Sequence, residues 1–249
     1  LLRGASGPVY PWKPYSPGGS GIPQVTGEIR GHLSHNWLRV IFAKLIGSTV
    51  SVFAGLSLGR EGPSIQFGAM AAKGAAKMTK ADKTTELRMI SCGAGAGMAA
   101  AFNSPLAGIM FVLEEIHHTF DKAILCMGIV ATITADFVSK LFFGQGTVFH
   151  YNTENLPLRY YWLLVLFGIL LGMCGSLYNI VMVKGQDLYK KITKIPAWLK
   201  LALVFAASGV AGLLLPQVLC GGHSMVDFLI QEHPSVSLML CLLTSKFFF

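Results

Sequence analysis

Apolar stretches long enough to cross a bilayer recur along this chain. Residues 37–58, 87–115, 122–143, 160–184 and 199–219 each hold few charges. A helix needs about 20 such residues to span the hydrocarbon core of a membrane, and a soluble fold rarely carries so many runs of that length. Composition agrees: 53% of the 249 residues are hydrophobic and 13% are charged, against about 25% charged in an average soluble domain. The polar surface is too small to cover a globule of this size. The expected fold class is all-α, a polytopic membrane protein with about six to eight segments.

The net charge of +8 reads as Lys and Arg in cytoplasmic loops and at anionic headgroups. No basic face interleaved with aromatics points to nucleic acid. The cluster Lys73, Lys77, Lys80 and Lys83 is expected in a cytoplasmic loop. Histidines 32, 35, 150, 223 and 233 fall in loops or at boundaries and are expected to be solvated. Five scattered cysteines, at 92, 126, 174, 220 and 241, show no zinc spacing and read as packing residues. Glu114 and Glu115 in "EEIHH" have the Glu-x-x-His spacing of di-metal sites in helix bundles, but no second set faces them, so no metal is expected. There is no GxSxG, HExxH or P-loop, which argues against an enzyme. "GAGAG" at 93–97 lacks the preceding strand of a dinucleotide loop.

Backbone that leaves the helix inside a membrane is tolerated only where protein buries it or where it lines a cavity. Three places combine Gly and Pro at a helix start within apolar sequence: "GGSGIP" at 18–23, "GREGP" at 59–63 and "NSPLAG" at 103–108. Each would free backbone N–H groups at a positive helix end, which favours anions. If two or more converge, they form an anion site without a buried full cation. "GREGP" adds an acid, Glu61, beside Arg60. Adjacent residues do not face each other across a helix, so a simple ion pair explains Glu61 poorly, and an acid at membrane depth is a functional candidate. Glycines 93, 95 and 97, and glycines 168, 172 and 175, are spaced for close helix approach in lipid. A short helix is expected at 21–30, a packed helix at 61–78, and a break at Asn103-Ser104-Pro105. A short amphipathic piece should follow Gly221-Gly222, and an incomplete span is expected at 236–249. Residues 1–17 hold several prolines and read as irregular.

"GSGIP" at 19–23, "GREGP" at 59–63 and "GAGAGMAAAFNSPLAGIMFVLEE" at 93–115, with the "CGGHS" loop at 220–224, resemble the CLC family of chloride channels and chloride/proton antiporters. The resemblance runs over residues 18–249, read as a partial transmembrane domain with the first repeat's motifs and the start of the second. It implies that chloride is bound by Ser20 through its hydroxyl, with Gly21, Ile22, Pro23, Arg60 and Gly62 around it. It makes Glu61 the gating and proton-accepting glutamate. Glu115, the better match of the doublet, becomes the internal proton relay. Lys44 matches a basic family position and would add positive potential, although it and Arg39 would also serve as snorkelling cations. The transported species would be chloride and protons, with no cofactor. The partners would be the lipid bilayer and a second copy in a homodimer, in a prokaryotic inner membrane.

Glu115 favours antiport over a passive channel, because channels of the family commonly carry an apolar residue there. The family's "GxFxP" motif and a later tyrosine of the chloride site do not occur in the chain. With no initiator Met, and with "LLTSKFFF" ending inside an apolar run, a fragment or truncated product is expected. A non-transporting remnant is therefore the third reading.

Overall fold

A computed structural model describes residues 21–144, 157–191, 196–232 and 234–248. The described residues form helices and connecting turns, without a strand. They fall into two compact units. The first holds α1 (Ile22–Ile29), α2 (Trp37–Phe53), α3 (Glu61–Met78), α4 (Lys83–Phe102), α5 (Pro105–Phe111) and α6 (Lys122–Phe143). The second holds residues 54–57 with α7 (Tyr161–Lys191), α8 (Ala197–Leu214), α9 (His223–Glu232) and α10 (Val236–Phe248).

Local chemistry sets the helix ends in the first unit. Pro23 stands in the first turn of α1, where a missing N–H costs nothing. Asp82 and Asp121 cap α4 and α6 by accepting from the first free amides of each helix. Asn103, left-handed at φ 53°, stops α4, and Pro105 begins α5 two residues later. Beyond α5 the chain winds on as a π-helical turn, Val112–His117, closed by left-handed His118.

Glycine lets α3 and α4 touch backbone to backbone. A Cβ on Gly97 would overlap the carbonyl of Ser64, and one on Gly68 would overlap the carbonyl of Gly93. Gly95 meets α5 in the same way: a Cβ there would lie 2.8 Å from the Gly108 carbonyl oxygen. Ile65, Met70, Ile90, Ile109 and Val112 fill the core around this contact. Glycines 168, 172 and 175 meet nothing within 4 Å of a built Cβ among the described residues.

Two sequence expectations are corrected in this unit. Lys73 does not lie in a loop: it is on α3, 3% exposed, ion-paired to buried Glu28 of α1 and donating to the His35 carbonyl at 2.6 Å. His35 is not solvated, since its Nδ1 lies 3.2 Å from Glu28 Oε2 and its side chain is 8% exposed. The physical reason is mutual: each charge is buried because the other neutralises it. His150 and His233 lie outside the described residues. Of the cysteines, Cys92 is buried, whereas Cys126, Cys174 and Cys241 are exposed.

Among the described residues, two helical stretches are long and apolar enough to cross a membrane, Lys122–Phe143 and Leu158–Leu188. The other apolar stretches are cut short for visible reasons. α2 stops at Phe53, and Gly55 follows in a left-handed turn at φ 76°. The 87–115 stretch breaks at Asn103. α8 stops at Leu214, ahead of Pro216. Within the second unit, Ser208 Oγ donates to the Ala54 carbonyl at 2.8 Å. Lys246 Nζ donates to Ser57 Oγ and to the carbonyls of Val218 and Cys220, at 2.6–2.8 Å.

Candidate functional site

The start of α3 is the centre of the candidate site. Arg60 precedes the helix, and Glu61 is its first residue, where the free amides make a negative charge favourable. Glu61 is exposed and Gly62 is buried. The carboxylate folds back over the backbone, and a Cβ on Gly59 would stand 2.9 Å from Glu61 Oε2. The glycine before Arg60 therefore leaves room for the acid.

The start of α1 meets the start of α3. Gly21 has φ 109°, a conformation open to glycine. A Cβ there would stand 2.6 Å from the Gly62 carbonyl oxygen and about as close to Gln66 of α3, whose Cβ and Oε1 lie 3.1 and 3.2 Å away. The "GSGIP" and "GREGP" segments are thus in direct contact. The Gly21 amide is held by α1 itself, donating to Gln24 Oε1 at 3.0 Å. Ile22 and Pro23 continue the helix beside it.

The third break joins through Arg60, whose guanidinium carbon lies 5.5 Å from the centre of the Phe102 ring at the end of α4. That distance is within the range of a cation–π contact. Arg60 does not pair with Glu61, as adjacency on the chain led us to expect. The starts of α1 and α3 therefore meet at Gly21 and Gly62, and Arg60 reaches Phe102, the residue just before the third break.

The remaining sequence candidates lie elsewhere or outside the description. Ser20 lies outside the described residues. Lys44 is half-buried on α2. Glu114 and Glu115 are exposed on the π-helical turn. Glu115 follows Pro105 by ten residues, roughly 15 Å along the axis at helical rise, and lies on the π turn beyond the C-terminal end of α5. No group of three or more metal-ligating side chains occurs among the described residues.

Several neighbours of these groups had no motif to announce them. Gln66 is 2% exposed, and its Oε1 has no hydrogen-bond partner among the described residues. The signal was available: it is the one polar side chain between Ser64 and Lys73 in an otherwise Gly, Ala and apolar run. His117 at the end of the π turn lies 2.9 Å from Ser91 Oγ. Burial lowers its pKa below the ordinary histidine value, and the nearby Asp121 carboxylate offsets part of that.

Comparison with known proteins gives consistent relationships. The family model described as "Voltage gated chloride channel" matches residues 5–249. A protein of Klebsiella pneumoniae named H(+)/Cl(-) exchange transporter ClcA is 31% identical over 237 residues, covering 92% of this chain and 50% of that protein. One of the same name from Citrobacter koseri is 30% identical with the same coverage. The chain thus spans about half the length of the curated relatives it matches. Among solved structures, a slow cyanobacterial Cl-/H+ antiporter superposes with a TM-score of 0.83 at 28% identity, covering 93% of this chain and 55% of that one. A CLC-type fluoride/proton antiporter superposes with a TM-score of 0.75 at 21% identity, covering 92% and 59%, which is a likeness of fold.

Proposed function

The chain belongs to the voltage gated chloride channel family, and from that premise we propose that the full-length protein exchanges chloride for protons across a membrane. Relatives named as H(+)/Cl(-) exchange transporters support antiport over passive conduction. The single observation that carries the reading is the contact of the α1 and α3 starts at Gly21 and Gly62, with Glu61 as the first residue of α3.

In this reading, chloride is stabilised by amide dipoles at the two helix starts and by the hydroxyl of Ser20, without a buried full cation. Gly21, Ile22, Pro23 and Gly62 shape that place, while Arg60 and Lys44 make its approach positive. The ionised carboxylate of Glu61 is a rival for the same positive helix end. Protonation removes its charge, so chloride wins the place and the neutral side chain leaves. Loss of the proton returns the carboxylate and expels the anion. Glu115, at the far end of the α5 segment, supplies the proton from the other side. The protein would act as a homodimer in a prokaryotic inner membrane.

The test is flux in liposomes with the full-length protein. An imposed chloride gradient should drive protons against their own gradient. E61Q should abolish that coupling, because an amide mimics the protonated state permanently. Chloride flux with no uphill proton movement would replace this reading with a passive channel.

A further inference from the structure

We infer that Gln66 is a binding residue of the anion site, its side-chain amide donating a neutral N–H to the anion held where the α1 and α3 starts meet, a role that rests on the transport reading above. Gln66 is 2% exposed, and its Oε1 has no hydrogen-bond partner among the described residues. An unpaired buried polar group forfeits its hydration, so an amide in such a place calls for a reason. A leucine or methionine there would avoid the cost.

The helix fixes where the amide stands. Side chains of an α-helix lean toward its N-terminus, so Gln66 lies back over the turn of Gly62. There it meets α1: a Cβ on Gly21 would stand 3.1 Å from Gln66 Cβ, 3.2 Å from its Oε1 and 2.6 Å from the Gly62 carbonyl oxygen. The Gly21 Cα is one bond further, so Oε1 is within about 5 Å of it. The polar end of Gln66 is thus at the junction of the two helix starts. Both starts are short of donors. Pro23 and Pro63 have no N–H. The Gly21 amide is already given to Gln24 Oε1 at 3.0 Å, and the Ser64 amide to the Arg60 carbonyl at 3.1 Å. A side-chain amide supplies hydrogens without a full charge that would itself need a buried partner.

The amide can turn to meet an anion. Its oxygen and its NH2 group exchange places by a half-turn of the last torsion, and the partners decide which end faces where. No described residue donates to Oε1, so no bond to that oxygen resists the turn. An anion only accepts hydrogen, and it draws the NH2 end toward itself.

The experiment is a calorimetric chloride titration of the full-length protein in detergent, with thermal unfolding in parallel. Q66L should weaken chloride binding on the order of 10-fold, the worth of one hydrogen bond to a charged partner. In chloride-free buffer its Tm should equal or exceed that of the wild type, because the unpaired amide is gone. A merely structural Gln66 gives the reverse, a lower Tm with unaltered chloride affinity, and that result overturns the inference. So does wild-type chloride affinity at any Tm. Q66E adds a pH readout. An ionised carboxylate only accepts hydrogen, so chloride binding relative to wild type should be weakest at alkaline pH and recover as the carboxyl is protonated; wild-type affinity in Q66E at alkaline pH also overturns the inference. If Q66L fails to assemble, Q66M carries the test with the same expected loss. S20A separates the two levels. Weaker binding in S20A beside wild-type binding in Q66L sinks this inference alone, whereas a wild-type protein that binds no chloride sinks the transport reading with it.

Discussion

Lys73 of α3 and Glu28 of α1 form an ion pair in which each side chain is 3% exposed. The pair ties together the two helices whose starts meet at Gly21 and Gly62. His35 completes it, its ring beside Glu28 and its carbonyl accepting from Lys73. Removing one partner of such a pair leaves an uncompensated charge, whereas replacing both with apolar residues of similar volume is often tolerated. K73M should therefore destabilise the protein by about 3–5 kcal/mol, and the double variant E28Q/K73M by clearly less. Thermal unfolding in detergent reads the difference. Equal Tm losses in the single and double variants would show that the pair does not act as a unit.

The backbone contact between α3 and α4 gives a second expectation. G97A places a methyl group on the Ser64 carbonyl, and backbone cannot yield as a side-chain end can. The cost should be about 1–3 kcal/mol, with α3 pushed off α4 near its Glu61 end. G168A is the internal control, since among the described residues nothing outside its own helix turn lies within 4 Å of a Cβ built there. Relief of glycine's backbone entropy in a helix predicts a gain there of about 0.5–1 kcal/mol. A G97A protein as stable as wild type would refute the close packing.

What was legible in the sequence follows from how local each cause is. The α3 boundaries and the Asn103 break are set by Pro, Gly and Asn acting on their own backbone, and those readings hold. The first glycine set was legible because close approach needs no partner chemistry beyond a missing Cβ. The second set, spaced four and three residues apart, meets nothing among the described residues, and spacing alone does not say which neighbour a glycine face receives. Lys73 was misread for the same reason: in sequence it joins a basic run, and only Glu28, 45 residues earlier, makes it a core residue. The π turn is not encoded by any residue type in "VLEEIH". His117 and Ser91 lie 26 residues apart, a pairing no single-chain pattern carries.

Gly59 yields an expectation about function rather than stability. A Cβ there would meet Glu61 Oε2 at 2.9 Å, at the far end of a flexible side chain. The carboxylate can swing aside, so G59A should change Tm little. The displaced acid should compete less well at the helix start. On the proposed gating role of Glu61, the pH dependence of flux in the full-length protein should weaken while the protein stays folded. A large drop in Tm, or an unaltered pH profile, would contradict the packing of Glu61 over Gly59.

Asp82 supplies the pH test of a helix end that lies outside the apolar stretches. Its Oδ2 accepts from the Thr84 and Thr85 amides at 3.0 and 3.2 Å, and its Oδ1 accepts from the Thr85 hydroxyl at 2.6 Å. The hydroxyl bond comes first among the causes that hold its pKa below 3.8, and the Thr85 amide comes next. A carboxyl with a depressed folded-state pKa stabilises the fold fully above its unfolded value and loses that stabilisation as pH falls through the folded value. The first turn of α4 should thus be capped above pH about 4 and fray below it. Amide hydrogen exchange at Thr84 and Thr85, corrected for intrinsic rates, reads this directly. Protection should fall on acidification in the wild type, and it should be low at every pH in D82A. In D82N, whose one side-chain oxygen does not titrate, it should be intermediate and flat. Unchanged protection of both amides on acidification of the wild type would show that the cap does not depend on the ionised carboxylate.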